Sequence, residues 1–119
     1  MNQETRSSKH KLERVDSLIR EVISNIILRE MEFTGTLVTV TEVDAKKNMH
    51  NAIIKISVLP GEKAAWILKR INGNSRYLQR LFEDTVKLRP MPRLIFEIDR
   101  GPEKAAEVEK IVLKGKIEE

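Results

Sequence analysis

The sequence predicts an α+β domain in the order helix, strand, strand, helix, helix, strand, with the helices on one face of a three-stranded mixed sheet. Three observations carry this. Residues 62–89 hold two runs of apolar residues at helical spacing, parted by Asn72-Gly73-Asn74. Residues 36–59 hold two β-rich runs joined by a short polar link. Residues 94–99 alternate with a period of two, directly after Pro90 and Pro92 have ended any helix.

In chain order, residues 1–8 are polar and aperiodic and are expected to be flexible. The domain proper is expected over residues 9–100. Its first helix is predicted from Lys9 to Met31, with Leu12, Val15, Ile19, Val22, Ile23 and Ile26 as the apolar stripe. Lys11, Arg14, Arg20 and Glu21 fall off that stripe. Thr34-Gly35 ends the helix, glycine being free to take a positive φ.

Thr36–Val43 reads as the first strand and Asn51–Leu59 as the second, with Ala52, Ile54, Ile56 and Val58 on its core face. The short link makes them an antiparallel hairpin. EKAAWILKRI buries Ala64, Ile67, Leu68 and Ile71, and SRYLQRLFEDTVKLR carries Leu78, Leu81, Phe82, Thr85 and Leu88. The third strand puts Leu94, Phe96 and Ile98 in the core. It is placed beside the first strand, because two helices carry the chain back to the starting edge. Ile53, Lys55 and Ile95 then lie half-buried on the other face. Residues 101–119 are expected to form a tail or a weakly docked helix.

A chain of 119 residues suits one domain with a modest core. Without cysteine it has neither disulfides nor thiolate metal sites. Its short apolar runs exclude a membrane-spanning helix, and it has no signal-peptide core, so the expected location is cytoplasmic. A net charge of +4 favours a polyanionic partner, RNA being the commonest, although a basic surface alone accounts for it too.

Catalysis finds little support. His10 and His50 lack a Ser, Cys or paired carboxylate at useful spacing, and no P-loop, dinucleotide fingerprint or zinc spacing occurs. No cofactor, metal or small-molecule substrate is expected. Base stacking on the sheet is disfavoured because the one strand aromatic, Phe96, points to the core. Trp66 and Tyr77 are assigned to core or boundary packing.

The helix break is the candidate site. Lys69, Arg70, Arg76 and Arg80 surround it, with Asn72, Gly73 and Asn74 at the joint. Two helices meeting at a glycine amid positive charge suit a phosphate backbone. A plain helical hairpin with a glycine turn accounts for the same residues, and both readings stay open. Asn72-Gly73 favours a turn, so a side chain at residue 73 is expected to strain a positive φ or to crowd an approaching backbone. Lys9, Lys11 and Arg14 on the first helix are a further basic set, readable as a solvated face or a phosphate-tracking one.

These residues resemble ribosome-binding factor A, a small bacterial ribosome-assembly family, over about Lys11 to Asp99. Arg14-Val15, Ile19, Glu21-Val22 and Arg29-Glu30 look like its first helix. Val38 to Val43 looks like its first strand, and Ala52, Ile54, Ile56 and Val58 like its second. Leu88-Arg89-x-x-Pro92-x-Leu94-x-Phe96-x-x-Asp99 is the most specific piece. The resemblance implies a K-homology-like fold of the type whose helix comes first, lacking a G-x-x-G loop and having an Ala-x-Gly kink between helices. Here Ile71-Asn72-Gly73 keeps only the glycine, and Glu32-Phe33-Thr34 stands where the family usually has Asp-Pro-Arg. It further implies a non-enzymatic partner of the immature small ribosomal (30S) subunit and its 16S ribosomal RNA. That partner would assist late maturation, including processing of the RNA's 5′ end, and growth at low temperature. No sustained heptad suggests a coiled coil, and a monomer is expected. The rival readings are a protein-interaction adaptor and a K-homology-like single-strand RNA-binding module outside the ribosome.

Overall fold

The computed structural model describes residues 2–45 and 50–101, with side chains of the first helix from residue 13 onward. Helix α1 is Asn2–Glu30, strand β1 Leu37–Ala45 and strand β2 Asn51–Leu59. A 3₁₀ turn at Gly61–Lys63 leads into α2, Ala64–Gly73, then α3, Ser75–Thr85, and β3, Arg93–Ile98. The predicted order is met. Residues 102–119, expected as a tail or docked helix, lie outside the described residues, as do the side chains of Lys9 and Lys11.

Helix α1 begins earlier than its apolar stripe. Nothing between Asn2 and Ser8 breaks a helix, and one already nucleated extends through polar residues one hydrogen bond at a time. It ends at Glu30, the Met31 N–H still donating to the Ile27 carbonyl at 2.9 Å, and not at Thr34-Gly35 as expected. Gly35, at φ 72°, makes a separate turn before β1, with the Thr36 N–H donating to the Phe33 carbonyl at 3.0 Å. Helix α3 stops at Thr85 instead of running on to Arg89. The Thr85 hydroxyl donates to the Leu81 carbonyl at 2.7 Å, and Val86 turns to extended backbone to bury its side chain.

The sheet order is β1-β2-β3. β1 pairs antiparallel with β2 from Leu37↔Leu59 to Ala45↔Ala52. β3 pairs parallel with β2 from Asn51↔Arg93 to Ile56↔Ile98. The expectation that β3 would lie beside β1 is therefore corrected. A strand, a helical crossover and a parallel strand form a compact unit when the second strand lies next to the first. On the far edge, α1 packs against β1.

The helices described, α1 to α3, cover one face. Val15, Ile19, Ile23, Ile26 and Ile27 from α1 meet Ile54, Ile56, Leu78, Phe82, Leu94 and Phe96 in one core. Val22, Leu81 and Ile98 are half-buried against it. Ile53, Lys55 and Ile95 are half-buried on the opposite face, as the alternation requires.

Both sheet edges receive a helix side chain. On β1, the Ala45 N–H donates to Asp16 Oδ1 at 2.8 Å. On β3, the Leu94 N–H donates to Gln79 Oε1 at 2.9 Å, and Gln79 Nε2 donates to the Pro92 carbonyl at 3.0 Å. These bonds occupy backbone groups that an edge strand otherwise offers to another chain. The third anchor is Asp99. Its N–H donates to the Ile56 carbonyl at 2.7 Å. Its carboxylate accepts the hydroxyl of Thr41, which sits in the β1 bulge, at 2.7 Å, and the Gly101 N–H at 2.9 Å. The Thr41 bond, then the Gly101 bond, hold the Asp99 carboxyl below the usual range.

Burial generates two predictions. Phe96→Ala should cost about 3–5 kcal/mol in denaturant unfolding, and a loss below about 1 kcal/mol would mean that the strand phase is reversed. Asp16 carries opposing effects: burial raises its pKa most, the Ala45 N–H lowers it, and Asp44, Glu13 and Glu42 add repulsion. A raised folded-state pKa means that the charged form opposes folding above it. Asp16→Asn keeps an acceptor for Ala45 without the charge, so at neutral pH it should be as stable as the parent or more so. That gap should close as pH falls through the Asp16 pKa. Asp16→Ala leaves the Ala45 N–H unsatisfied and should cost about 1–3 kcal/mol.

Candidate nucleic-acid interface

The joint between the two central helices is made by asparagine more than by glycine. Gly73 is the last residue of α2, and its φ is not positive. The turn residue is Asn74, at φ −108° and ψ 13°. Its N–H donates to the Ile71 carbonyl at 3.0 Å, its side-chain Nδ2 to the Arg70 carbonyl at 2.9 Å, and its own carbonyl accepts the Leu78 N–H at 3.0 Å. The expectation of a positive φ at residue 73 is thus wrong. An Asn74 in the bridge region bends the chain without left-handed backbone, and among the described residues the left-handed glycine is Gly35. Apart from its chain neighbours and its own helix backbone, no atom lies within 4 Å of where a Cβ at Gly73 would stand. Ile71, which departs from the family's small residue, is fully buried and fills core space beneath the joint.

An open cleft of about 830 Å³ lies between α3 and the outer edge of β3. Asn72, Arg76 and Arg80 line it, together with Asn51, Gln79 and Arg93, which sequence reasoning had not assigned to a site. Arg76 and Arg80 share a helical face through their four-residue spacing. Arg93 reaches them only because β3 is the edge strand next to α3. Its alternation with Leu94 placed it off the core face, and that was the one available signal. Glu83 and Asp84 line the same cleft. Among the described residues, neither Arg76 nor Arg80 forms an ion pair, so both guanidinium groups are available to an outside anion.

The remaining candidates lie elsewhere. Arg70 and Asn74 line a second hollow, of about 300 Å³, with Glu30, Met31, Glu32 and Tyr77. The Arg70 guanidinium carbon lies 5.2 Å from the Trp66 ring centre and 5.5 Å from that of Phe33. The Tyr77 hydroxyl donates to Glu30 Oε2 at 3.0 Å, and Arg29 Nε lies 3.1 Å from Glu30 Oε1. The Tyr77 bond, then the Arg29 bond, lower the Glu30 pKa, and the same hydroxyl bond raises that of Tyr77. Lys69 is exposed on α2, and Arg14 is exposed on α1 away from both hollows. Trp66 and Tyr77 are 52% and 48% exposed, so neither belongs to the core. Of the first helix's basic set, the described Arg14 does not converge with the joint.

A helix, a hairpin, two helices about a tight joint and a parallel third strand, with a basic cleft beside that joint, define a K-homology-like domain. The family model described as ribosome-binding factor A matches residues 11–112, and the chain belongs to that family. It is 31% identical over 109 residues to ribosome-binding factor A of Rhodopirellula baltica, covering 90% of this chain and 80% of that one. Against the same factor of Akkermansia muciniphila it is 28% identical over 96 residues, 81% and 77% of the two chains. The crystal structure of ribosome-binding factor A from Thermus thermophilus superimposes with a TM-score of 0.64 at 21% identity. The match covers 76% of this chain and 97% of that one, and establishes a shared fold.

With φ ordinary and space open at residue 73, Gly73→Ala should leave stability level or raise it by up to about 1 kcal/mol, the helix-propensity difference. A loss on denaturant unfolding would mean that the joint needs glycine for the fold itself.

Proposed function

We propose that this protein is a non-enzymatic, monomeric, cytoplasmic assembly factor. It associates with the immature 30S subunit through 16S ribosomal RNA. There it assists late maturation, including processing of the RNA's 5′ end, and supports growth at low temperature. Membership of the ribosome-binding factor A family supports a ribosomal partner. The observation that carries the RNA contact is the cleft with Asn72, Arg76, Arg80 and Arg93, whose α3 arginines have no carboxylate partner among the described residues. Cations held over one cleft neutralise phosphates and release counterions. Lys69, Arg70, Gly73 and Asn74, on the joint but outside this cleft, would add contacts of their own. Lys9, Lys11 and Arg14 of the first helix are proposed as further phosphate contacts.

A second reading rests on a different surface. An apolar groove of about 440 Å³ runs between the end of α1 and β1, with Leu28 81% and Leu37 61% exposed. It favours a protein-interaction adaptor, whose binding would respond little to salt.

The test is co-sedimentation with separated ribosomal particles at low and high salt. Reversing both Arg76 and Arg80 to glutamate should weaken small-subunit binding sharply while sparing the fold. The log–log salt slope should flatten by roughly one unit for each phosphate no longer neutralised. Full binding by a folded double mutant would move the RNA face away from α3. Salt-insensitive binding would favour the adaptor.

A further inference from the structure

The chain has one tryptophan, and it is not where packing would put it. Trp66 is 52% exposed on α2, and an indole left half in water gives up much of the burial that normally retains it. Its surroundings are cationic. Lys63, Lys69 and Arg70 stand three or four residues from it and so share its helical face. Glu62 is the one acid between Gly61 and Gly73. Glu30 and Glu32 line the hollow beside Arg70, and Glu30 is already engaged by Arg29 and Tyr77. The ring is also held in place, since the Arg70 guanidinium lies against it and against Phe33.

The same helical face runs on through Arg70 toward Gly73, and the neighbouring Asn72 lines the arginine cleft. Six residue steps of α2 separate Trp66 from Asn72, about 9 Å along the axis and roughly 120° around it, so a strand passing from one to the other wraps the end of α2. A single strand leaving the cleft covers that distance in a few nucleotides. Aromatic faces bordered by cations that track a backbone are how proteins bind single strands.

We propose that Trp66 is a stacking platform for an unpaired base of single-stranded RNA, with Lys63, Lys69 and Arg70 taking the adjoining phosphates. This rests on the RNA-binding reading given above and adds the chemical class of the target, an unpaired strand instead of a duplex. It also assigns a role to an aromatic outside the sheet, where strand-borne stacking residues are absent among the described residues.

The single tryptophan makes the test direct. The full chain is titrated with a short mixed-sequence single-stranded RNA and with its duplex, following both fluorescence anisotropy of the labelled RNA and emission of Trp66. The single strand should bind and quench the emission, and the duplex should leave the emission unchanged. Trp66→Ala should weaken single-strand binding by roughly tenfold or more, with Trp66→Phe recovering most of it. Circular dichroism and denaturant unfolding of both variants separate this loss from one caused by release of Arg70 and Phe33. Binding by anisotropy with unchanged emission and an unweakened, folded Trp66→Ala variant would overturn the platform while leaving the cleft standing. Absence of binding to either RNA and to small subunits would overturn the RNA reading and the platform together.

Discussion

Gln79 holds α3 to the sheet by making its amide behave as one residue of a neighbouring strand. The donor meets the Pro92 carbonyl and the acceptor meets the Leu94 N–H, the complementarity that a paired strand would supply. Below this clamp, Leu78 and Phe82 are fully buried, so the helix can neither slide nor roll without opening both the hydrogen bonds and the core. Gln79 also lies between Arg76 and Arg80 in sequence, and the two groups it grips flank Arg93. Three cationic residues are thereby brought to one cleft by the interaction that closes the sheet edge. Fold and site are built from the same contact, which explains why the cleft needs no dedicated loop.

Much of this was legible because it is periodic. β2 alternates so cleanly that its bounds coincide with the expected ones, Asn51 to Leu59, and the phase of β3 follows from Leu94 and Phe96. Features that periodicity does not encode were hidden. Residues 2–8 have no apolar stripe, so their helix was invisible, and Val86 leaves its helix for burial that a helical repeat does not distinguish. The neighbour of β3 depends on the geometry of the crossover, which is a property of the whole unit. At the site, Asn72, Arg76 and Arg80 stand out by clustering around the break. Arg93 and Asn51 come from distant segments and meet them only through strand pairing. The exposure of Trp66 depends on what packs beside α2, and helical spacing carries no information about that.

The joint itself shows how a residue pair can suggest one conformation and use another. Asn-Gly commonly turns through left-handed backbone. Here the following asparagine does the turning, by tying its side chain to the Arg70 carbonyl while its own carbonyl starts the next helix. That leaves Gly73 as a bare patch of helix surface beside Asn72, with no other part of the protein packed above it. A smooth spot at a bend has value to a ligand that must approach the main chain closely, independently of any demand from φ.

The amide at the centre of the clamp has a chemical lifetime. Deamidation would turn Gln79 into a glutamate, exchanging a donor for a second acceptor directly opposite the Pro92 carbonyl. The Leu94 bond could persist, but the other half of the clamp would become a repulsion, and a negative charge would appear between Arg76 and Arg80. One slow hydrolytic event would thus loosen the helix and discharge the cleft together. An ageing molecule would lose its grip on a polyanion along with its edge protection.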